Sequence, residues 1–170
     1  MNTDELRAIQ APIKERYRAR PEAALITLRA QGRLGEGVTC KVETGRATAA
    51  AGLHPATGGD GLSACSGDML LEALVACAGV TLNAVATALG IDIRNGTVRA
   101  EGDLDFRGTL GVDKEAPVGF QRIRLDFDLD TDATQEQLAT LQGLTERYCV
   151  VYQTLHRPPE ITVSRHASAS

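Results

Sequence analysis

The chain has 170 residues, 43% of them hydrophobic and 24% charged, with a formal net charge of −4 at neutral pH. That length holds one domain with a real core but not two. The acidic balance speaks against a nucleic-acid surface, which needs a basic patch. The polar opening MNTDELRAIQ lacks the apolar run of a signal peptide, so a cytoplasmic protein with small or neutral partners is expected.

Thr3 can cap a short helix through Leu6 and Ile9, and Pro12 can begin a further turn or two through Ile13 and Tyr17 until Pro21 closes the segment. Its apolar stripe is thin. Residues 1–22 are therefore expected to form a helical arm that packs on another surface, such as a partner subunit. From Ala23 the period changes. LITLRAQGRL, VTCKVET and RATAAAG carry β-branched residues in partial alternation and are separated by turn signals at Gly35 to Gly37 and at Thr44-Gly45, which predicts three antiparallel strands. LHPATGGDGLSACS then reads as a loop.

Ser66 to Gly90 is the most apolar run in the chain. Ser66 is the expected N-cap, Asp68 suits the first turn, and Gly90 is a natural stop. Apolar residues fall on nearly every face, which predicts a helix buried all round. A membrane span would fit by length, but Asp68, Glu72 and Asn83 interrupt the run and no basic flank follows, so a soluble core helix is favoured. Beyond Gly90, Val98, Ala100, Gly102, Leu104 and Phe106 alternate with polar residues, and Ile123, Leu125, Phe127 and Leu129 do so again after a polar excursion; both stretches predict strands. Thr131 or Asp132 is expected to cap a second helix with Leu138, Leu141, Leu144 and Tyr148 on one face, where Gly143 would mark close packing. VVYQTLH continues as a helical turn until Pro158 and Pro159, ITVS is expected as a last strand, and residues 166–170 as a disordered tail after a domain spanning 23–165. The fold class is α+β, with antiparallel sheet and the helices on one face.

Four cysteines, Cys40, Cys65, Cys77 and Cys149, show no C-x-x-C spacing, and His54, His156 and His166 are scattered, so no metal is expected and the histidines read as surface or capping residues. Cys77 falls in mid-helix, where its own helix dipole cannot help ionisation; read alone it is a small buried hydrophobe. Cys149, at the end of an amphipathic helix beside Arg147, fits packing and redox roles equally, whereas Cys40 occupies a strand and Cys65, before the helix and close to its positive end, reads as incidental.

SGDMLLEALVAC, followed much later by ERYCVVYQTL, resembles the paired cysteine motifs of the OsmC/Ohr superfamily, and the likeness, to its OsmC-like subgroup, runs roughly from Ala23 to Val163. The resemblance implies antiparallel sheets around a long buried central helix in an intertwined homodimer. It further implies a thiol peroxidase in which Cys77 attacks an organic hydroperoxide and Cys149 resolves the sulfenic acid to a disulfide. No bound cofactor is implied; an external dithiol such as dihydrolipoamide would reduce that disulfide. Peroxidatic members hold an Arg against the thiolate with a Glu ten positions before the first cysteine. Here that position is Gly67, Asp68 takes the acidic place of the subgroup, and Arg33 or Arg46 is the candidate cation. Val150 stands where the family usually has Pro. The alternative is a non-catalytic dimer of this fold that binds a small apolar ligand between subunits; neither reading calls for nucleic acid or membrane.

Overall fold

The computed structural model describes residues 2–20, 31–34, 39–43, 48–111 and 113–166. The predicted turns at Gly35 to Gly37 and Thr44-Gly45, the stop at Pro21, Arg46 and all of the tail but His166 lie outside the described residues.

Helix α1 (Thr3–Ala19) is one helix that runs through Pro12 instead of two short ones, forgoing a hydrogen bond there. Asn2, not Thr3, caps it: the Asn2 Oδ1 accepts from the Glu5 N–H at 2.8 Å while the Glu5 carboxylate accepts from the Asn2 N–H at 3.0 Å. Thr3 is thereby free to donate to the Thr87 carbonyl at 2.8 Å, fastening the arm to the central helix of its own chain.

Strands β1 (Gln31–Leu34), β2 (Thr39–Glu43) and β3 (Thr48–Gly52) form the expected antiparallel set. The following loop adds what alternation could not foretell. His54 caps a single 3-10 turn at Pro55–Thr57, its Nδ1 accepting from the Ala56 N–H at 3.0 Å, and a two-residue strand β4 (Ala64–Cys65) pairs with β3 in parallel. The sheet is thus mixed, not purely antiparallel.

Because β4 runs directly into α2 (Ser66–Leu89), the N-cap is Cys65 instead of Ser66, and at the far end Gly90 takes the left-handed conformation at φ 69° that a side chain would resist. Leu74, Ala78, Leu82, Val85 and Ala86 are buried, whereas Leu70, Leu89 and, at 71% exposure, Val80 are open. Within one chain the helix buries one face, not its whole circumference.

Strands β5 (Asn95–Asp103) and β6 (Arg122–Asp130) pair antiparallel over nine residues. β5 ends before Leu104 and Phe106, the latter opening the single helical turn α3 (Phe106–Thr109) capped by Asp105. The outer face of the pair carries Arg94 with Asp130 and Asp132, and Arg124 with Asp103 and Glu101, an exposed ladder that contributes little to stability pair by pair. Its inner face carries Phe127 and Leu129 onto a core of Leu82, Val85, Ala86 and Leu141, with Ile91, Ile93, Leu138 and Leu144 around it. Helix and sheet come close at Gly79, where a β-carbon would stand 3.6 Å from Val98.

Helix α4 (Gln135–Tyr148) begins at Thr134, later than expected, in a reciprocal cap with Gln137. Tyr148, assigned from sequence to the buried face, is 57% exposed; Thr145 is buried there instead, its hydroxyl satisfied by the Leu141 carbonyl at 2.7 Å. Gly143 faces open space, so close packing does not explain it. After α5 (Val150–His156) the chain runs to residue 166 without regular structure and without pairing to the described strands. ITVS is not a strand there, and Ile161 and Val163 are 80% and 87% exposed.

Candidate thiol site

Cys149 is the joint between α4 and α5. Its N–H closes α4 on the Thr145 carbonyl at 2.9 Å, and its extended backbone (φ −72°, ψ 109°) turns the chain so that its sulfur caps α5, accepting from the Tyr152 N–H at 3.5 Å. The residue is fully buried. Cys77, half-buried in the middle of α2, meets this joint because α2 packs on both α4 and α5. Both are free thiols, near enough for each to shift the other's ionisation, with no disulfide between them.

The two sulfurs ionise in a definite order. Burial pushes the Cys77 thiol up, but the Val151 N–H, the Cys149 thiol, the Val150 N–H and the Thr81 hydroxyl together hold it below the ordinary thiol value. Cys149 goes the other way. Burial raises it, the Tyr152 and Val151 N–H groups only partly offset this, and the neighbouring Cys77 thiolate raises it further. One proton is lost from the pair first, from the more accessible sulfur, and the buried thiol remains as a donor to it.

A mid-helix cysteine gains nothing from its own helix, as the sequence implied, but here the first turn of a different helix is brought to it. Val150, Val151 and Thr81 are the groups that sequence reasoning missed. Only Thr81 left a trace, the four-residue spacing from Cys77 that puts both on one helix face. Asp68, nine residues before Cys77 on the same helix, lies about 13 Å along the axis and half a turn around it, and it is exposed. The two are not brought together within one chain. Arg33 stands on β1 opposite Lys41, and among the described residues no cationic side chain contributes to the lowering of Cys77. Cys40 on β2 lies opposite Ala51, and Cys65 stays at the start of α2.

Position 67 is enclosed by apolar packing. A β-carbon there would touch the Phe120 ring and the Cys65 sulfur at 3.6 Å and Leu104 at 3.7 Å, and the same ring lies so close to Gly102 that a β-carbon at 102 would come within 2.4 Å of it. Phe120 borders a cleft of about 460 Å³ floored by Leu74, Ile123, Leu125, Phe127 and Leu155, with Arg122, Gln142 and Glu146 among its polar lining. Neither sulfur lines this cleft. It adjoins the thiols through Leu74, one helical turn before Cys77, and through Tyr152, whose amide caps onto Cys149 and whose ring stacks on His156 at 5.7 Å. Among the described residues no cluster of His, Cys, Asp and Glu could hold a metal ion.

The family model for OsmC-like protein matches residues 58–164, more than half of the chain, including Cys77 and Cys149. Solved structures share the fold. An OsmC-like protein from Mycoplasma pneumoniae is 17% identical with a TM-score of 0.65, covering 78% of this chain and 89% of its own. An organic hydroperoxide resistance protein OsmC from Legionella pneumophila is 16% identical with a TM-score of 0.61, covering 78% and 91%. An organic hydroperoxide resistance protein from Elizabethkingia anophelis is 19% identical with a TM-score of 0.60, covering 79% and 90%. No curated protein matches the chain.

Proposed function

The chain belongs to the OsmC-like protein family, and from that membership and the thiol geometry we propose that it is a thiol peroxidase reducing organic hydroperoxides to alcohols. The observation that carries this reading is the pairing of two free thiols at the α4–α5 joint, a half-buried Cys77 beside a fully buried Cys149, with Cys77 lowered and Cys149 raised from the ordinary thiol value. The Cys77 thiolate attacks the outer peroxide oxygen and the O–O bond breaks. Sulfur becomes a sulfenic acid, and the alkoxide takes a proton to leave as the alcohol. Cys149 then attacks the Cys77 sulfur, water leaves, and a disulfide forms; the adjacent thiol thus intercepts the sulfenic acid before further oxidation. An external dithiol such as dihydrolipoamide returns the two electrons, and such a cycle fits a reducing compartment such as the cytoplasm. The names of the Legionella and Elizabethkingia proteins of the same fold favour this substrate class.

The open apolar face of α2 supports assembly as a homodimer across that helix, because Val80 and Leu70 would be covered there. Asp68 borders the same open side, with Glu72 and Ala76, and in this reading Asp68 and Arg33 act from the subunit boundary instead of within one chain. The test is dihydrolipoamide-dependent consumption of cumene hydroperoxide by wild type, Cys77→Ser and Cys149→Ser. Turnover lost in Cys77→Ser, with one round of thiol oxidation surviving in Cys149→Ser, is the expected result. A wild type whose thiols stay free by mass after peroxide would overturn the proposal.

A further inference from the structure

Gly143 stands in the middle of α4, where only proline is a poorer helix former, and a β-carbon on it would meet nothing within 4 Å. What it does border is a recess of about 340 Å³, walled also by Glu146, Arg147, Tyr152, Gln153, His156 and Arg157. The missing side chain leaves that recess open. Glu146, Tyr152 and His156 line the apolar cleft of about 460 Å³ as well, so the two spaces adjoin at the stacked Tyr152 and His156 rings.

The recess holds arginines of a kind rare elsewhere in this chain. Arg94 is held by Asp130 and Asp132, Arg99 by Asp128, Arg107 by Asp105 and Asp113, and Arg124 by Glu101 and Asp103. Arg147 and Arg157 enter no ion pair among the described residues; the Arg147 guanidinium lies over the Tyr148 ring, 5.5 Å from its centroid. Glu146, the carboxylate of the recess, accepts from the Gln142 amide at 2.8 Å, and its backbone carbonyl accepts from the Gln153 amide at 2.8 Å. Two guanidinium groups against one carboxylate leave an excess of one positive charge, on a protein whose formal net charge is −4. Arg122, on the cleft, stands opposite Asp103 in the sheet register and adds nothing to that excess.

We propose that cleft and recess together are a binding site for an aliphatic carboxylate, its chain on Leu74, Ile123, Leu125 and Leu155 and its head group between Arg147 and Arg157. A concave space of this volume with an apolar floor and a few polar groups suits a small amphiphile. The guanidinium fork matches a carboxylate, and one excess positive charge matches its single negative charge better than the double charge of a phosphate monoester. Neither sulfur lines the site, so the inference does not rest on the peroxidase reading.

The test is calorimetric titration of the reduced full-length protein with decanoate, beside hexanoate, decanol and decyl phosphate. Decanoate is expected to bind about tenfold or more tightly than hexanoate, since four methylenes leave the cleft in the shorter acid, and more tightly than decanol or decyl phosphate. Arg147→Gln and Arg157→Gln combined are expected to weaken decanoate about tenfold and to leave decanol unchanged. Gly143→Glu places a carboxylate one turn before Arg147, in the position of the ligand's head group, and is expected to weaken decanoate well beyond Gly143→Gln, which fills the same space without charge. Both residues favour the helix over glycine, so a thermal melt at or above that of the wild type separates lost binding from lost folding. Cys77→Ser is expected to bind as the wild type does. Hexanoate, decanol or decyl phosphate bound as tightly as decanoate overturns the proposal. So does an arginine double variant that binds decanoate unchanged, or equal effects of Gly143→Glu and Gly143→Gln. Binding lost in Cys77→Ser would put the ligand at the sulfur and overturn the separate site, whereas a wild type that binds decanoate but leaves peroxide intact ends the peroxidase reading alone.

Discussion

Val150→Pro should separate the amide contribution to Cys77 from the stability of the fold. Val150 is the first residue of α5, a position where proline is well accepted because its missing N–H has no intrahelical partner. The preceding residue, Cys149, already has φ −72° and ψ 109°, inside the region that a following proline requires. The valine side chain is 69% exposed, so little burial is lost, and the stiffer unfolded chain returns about 0.4–1 kcal/mol. Stability is thus expected to change by no more than about 1 kcal/mol, or roughly 2–4 °C for a chain of this size. What is lost is the Val150 N–H toward the Cys77 sulfur. A hydrogen bond to a charged acceptor contributes about 1.5 kcal/mol at the low end, which is close to one pH unit in the Cys77 midpoint and tenfold in thiolate at neutral pH. The assay is the pH dependence of iodoacetamide alkylation at Cys77 beside a thermal melt. A normal melt with an unmoved midpoint would refute the reasoning, and so would a melting point lowered by more than roughly 5 °C, since the backbone would then not be proline-ready.

Leu141→Ala removes a side chain only 1% exposed at the contact of α4 with Leu82 and Val85, and should cost about 2–5 kcal/mol by urea denaturation; a loss below 1 kcal/mol would mean that the core closes over the gap. Gly102→Ala should destabilise by about 1–2 kcal/mol because its β-carbon would fall 2.4 Å from the Phe120 ring, and should turn neutral or stabilising in a Phe120→Ala background; equal effects in both backgrounds would dismiss the contact. The reduced protein should gain stability as pH rises toward the ordinary thiol value. Cys77 is depressed when folded, so its contribution is complete above the unfolded pKa and is lost as pH falls through the folded one. Beyond the ordinary value Cys149, raised when folded, takes stability away again, and denaturant midpoints that rise unchanged in Cys77→Ser would contradict this.

Elements with a strong period could be read from the sequence. Ile123 to Leu129 alternate because one face of β6 meets the core and the other carries Asp126 and Asp128 into water, and that pattern is local. The ends of elements were harder. Ser66 and Thr131 are good cap residues, but β4 hands the chain to α2 at Cys65, and Thr134 wins α4 through its reciprocal bond with Gln137, a choice among neighbours that composition cannot rank. Burial of α2 all round was inferred from its apolar circumference; within one chain the described elements β5, α4, α5 and α1 cover part of it and leave Val80 and Leu70 open. The two cysteines were identified by their motifs, not by physics, because their meeting depends on packing between segments far apart in sequence. The same holds for Val150 and Val151, whose contribution comes from backbone amides that carry no side-chain signature.

The departures at positions 67 and 150 are connected through the sulfur. Without a carboxylate at position 67, where the space adjoins Phe120 and Leu104, nothing at that position orients a cation over Cys77. Proline at 150 would leave one fewer amide there; valine supplies it. Neutral donors hold charge less strongly than a guanidinium, but fixed dipoles in a half-buried site are also less screened by salt than an exposed ion pair. Moreover, the same first turn serves both sulfurs, since the Tyr152 amide donates to Cys149 while those of Val150 and Val151 face Cys77. Drawing the Cys149 sulfur onto Cys77 in a disulfide takes the acceptor from the Tyr152 N–H, and Tyr152 with His156 forms one wall of the cleft. In the proposed peroxidase cycle, a disulfide between the pair would therefore disturb the same turn that holds Cys77 below the ordinary thiol value and borders the neighbouring cleft.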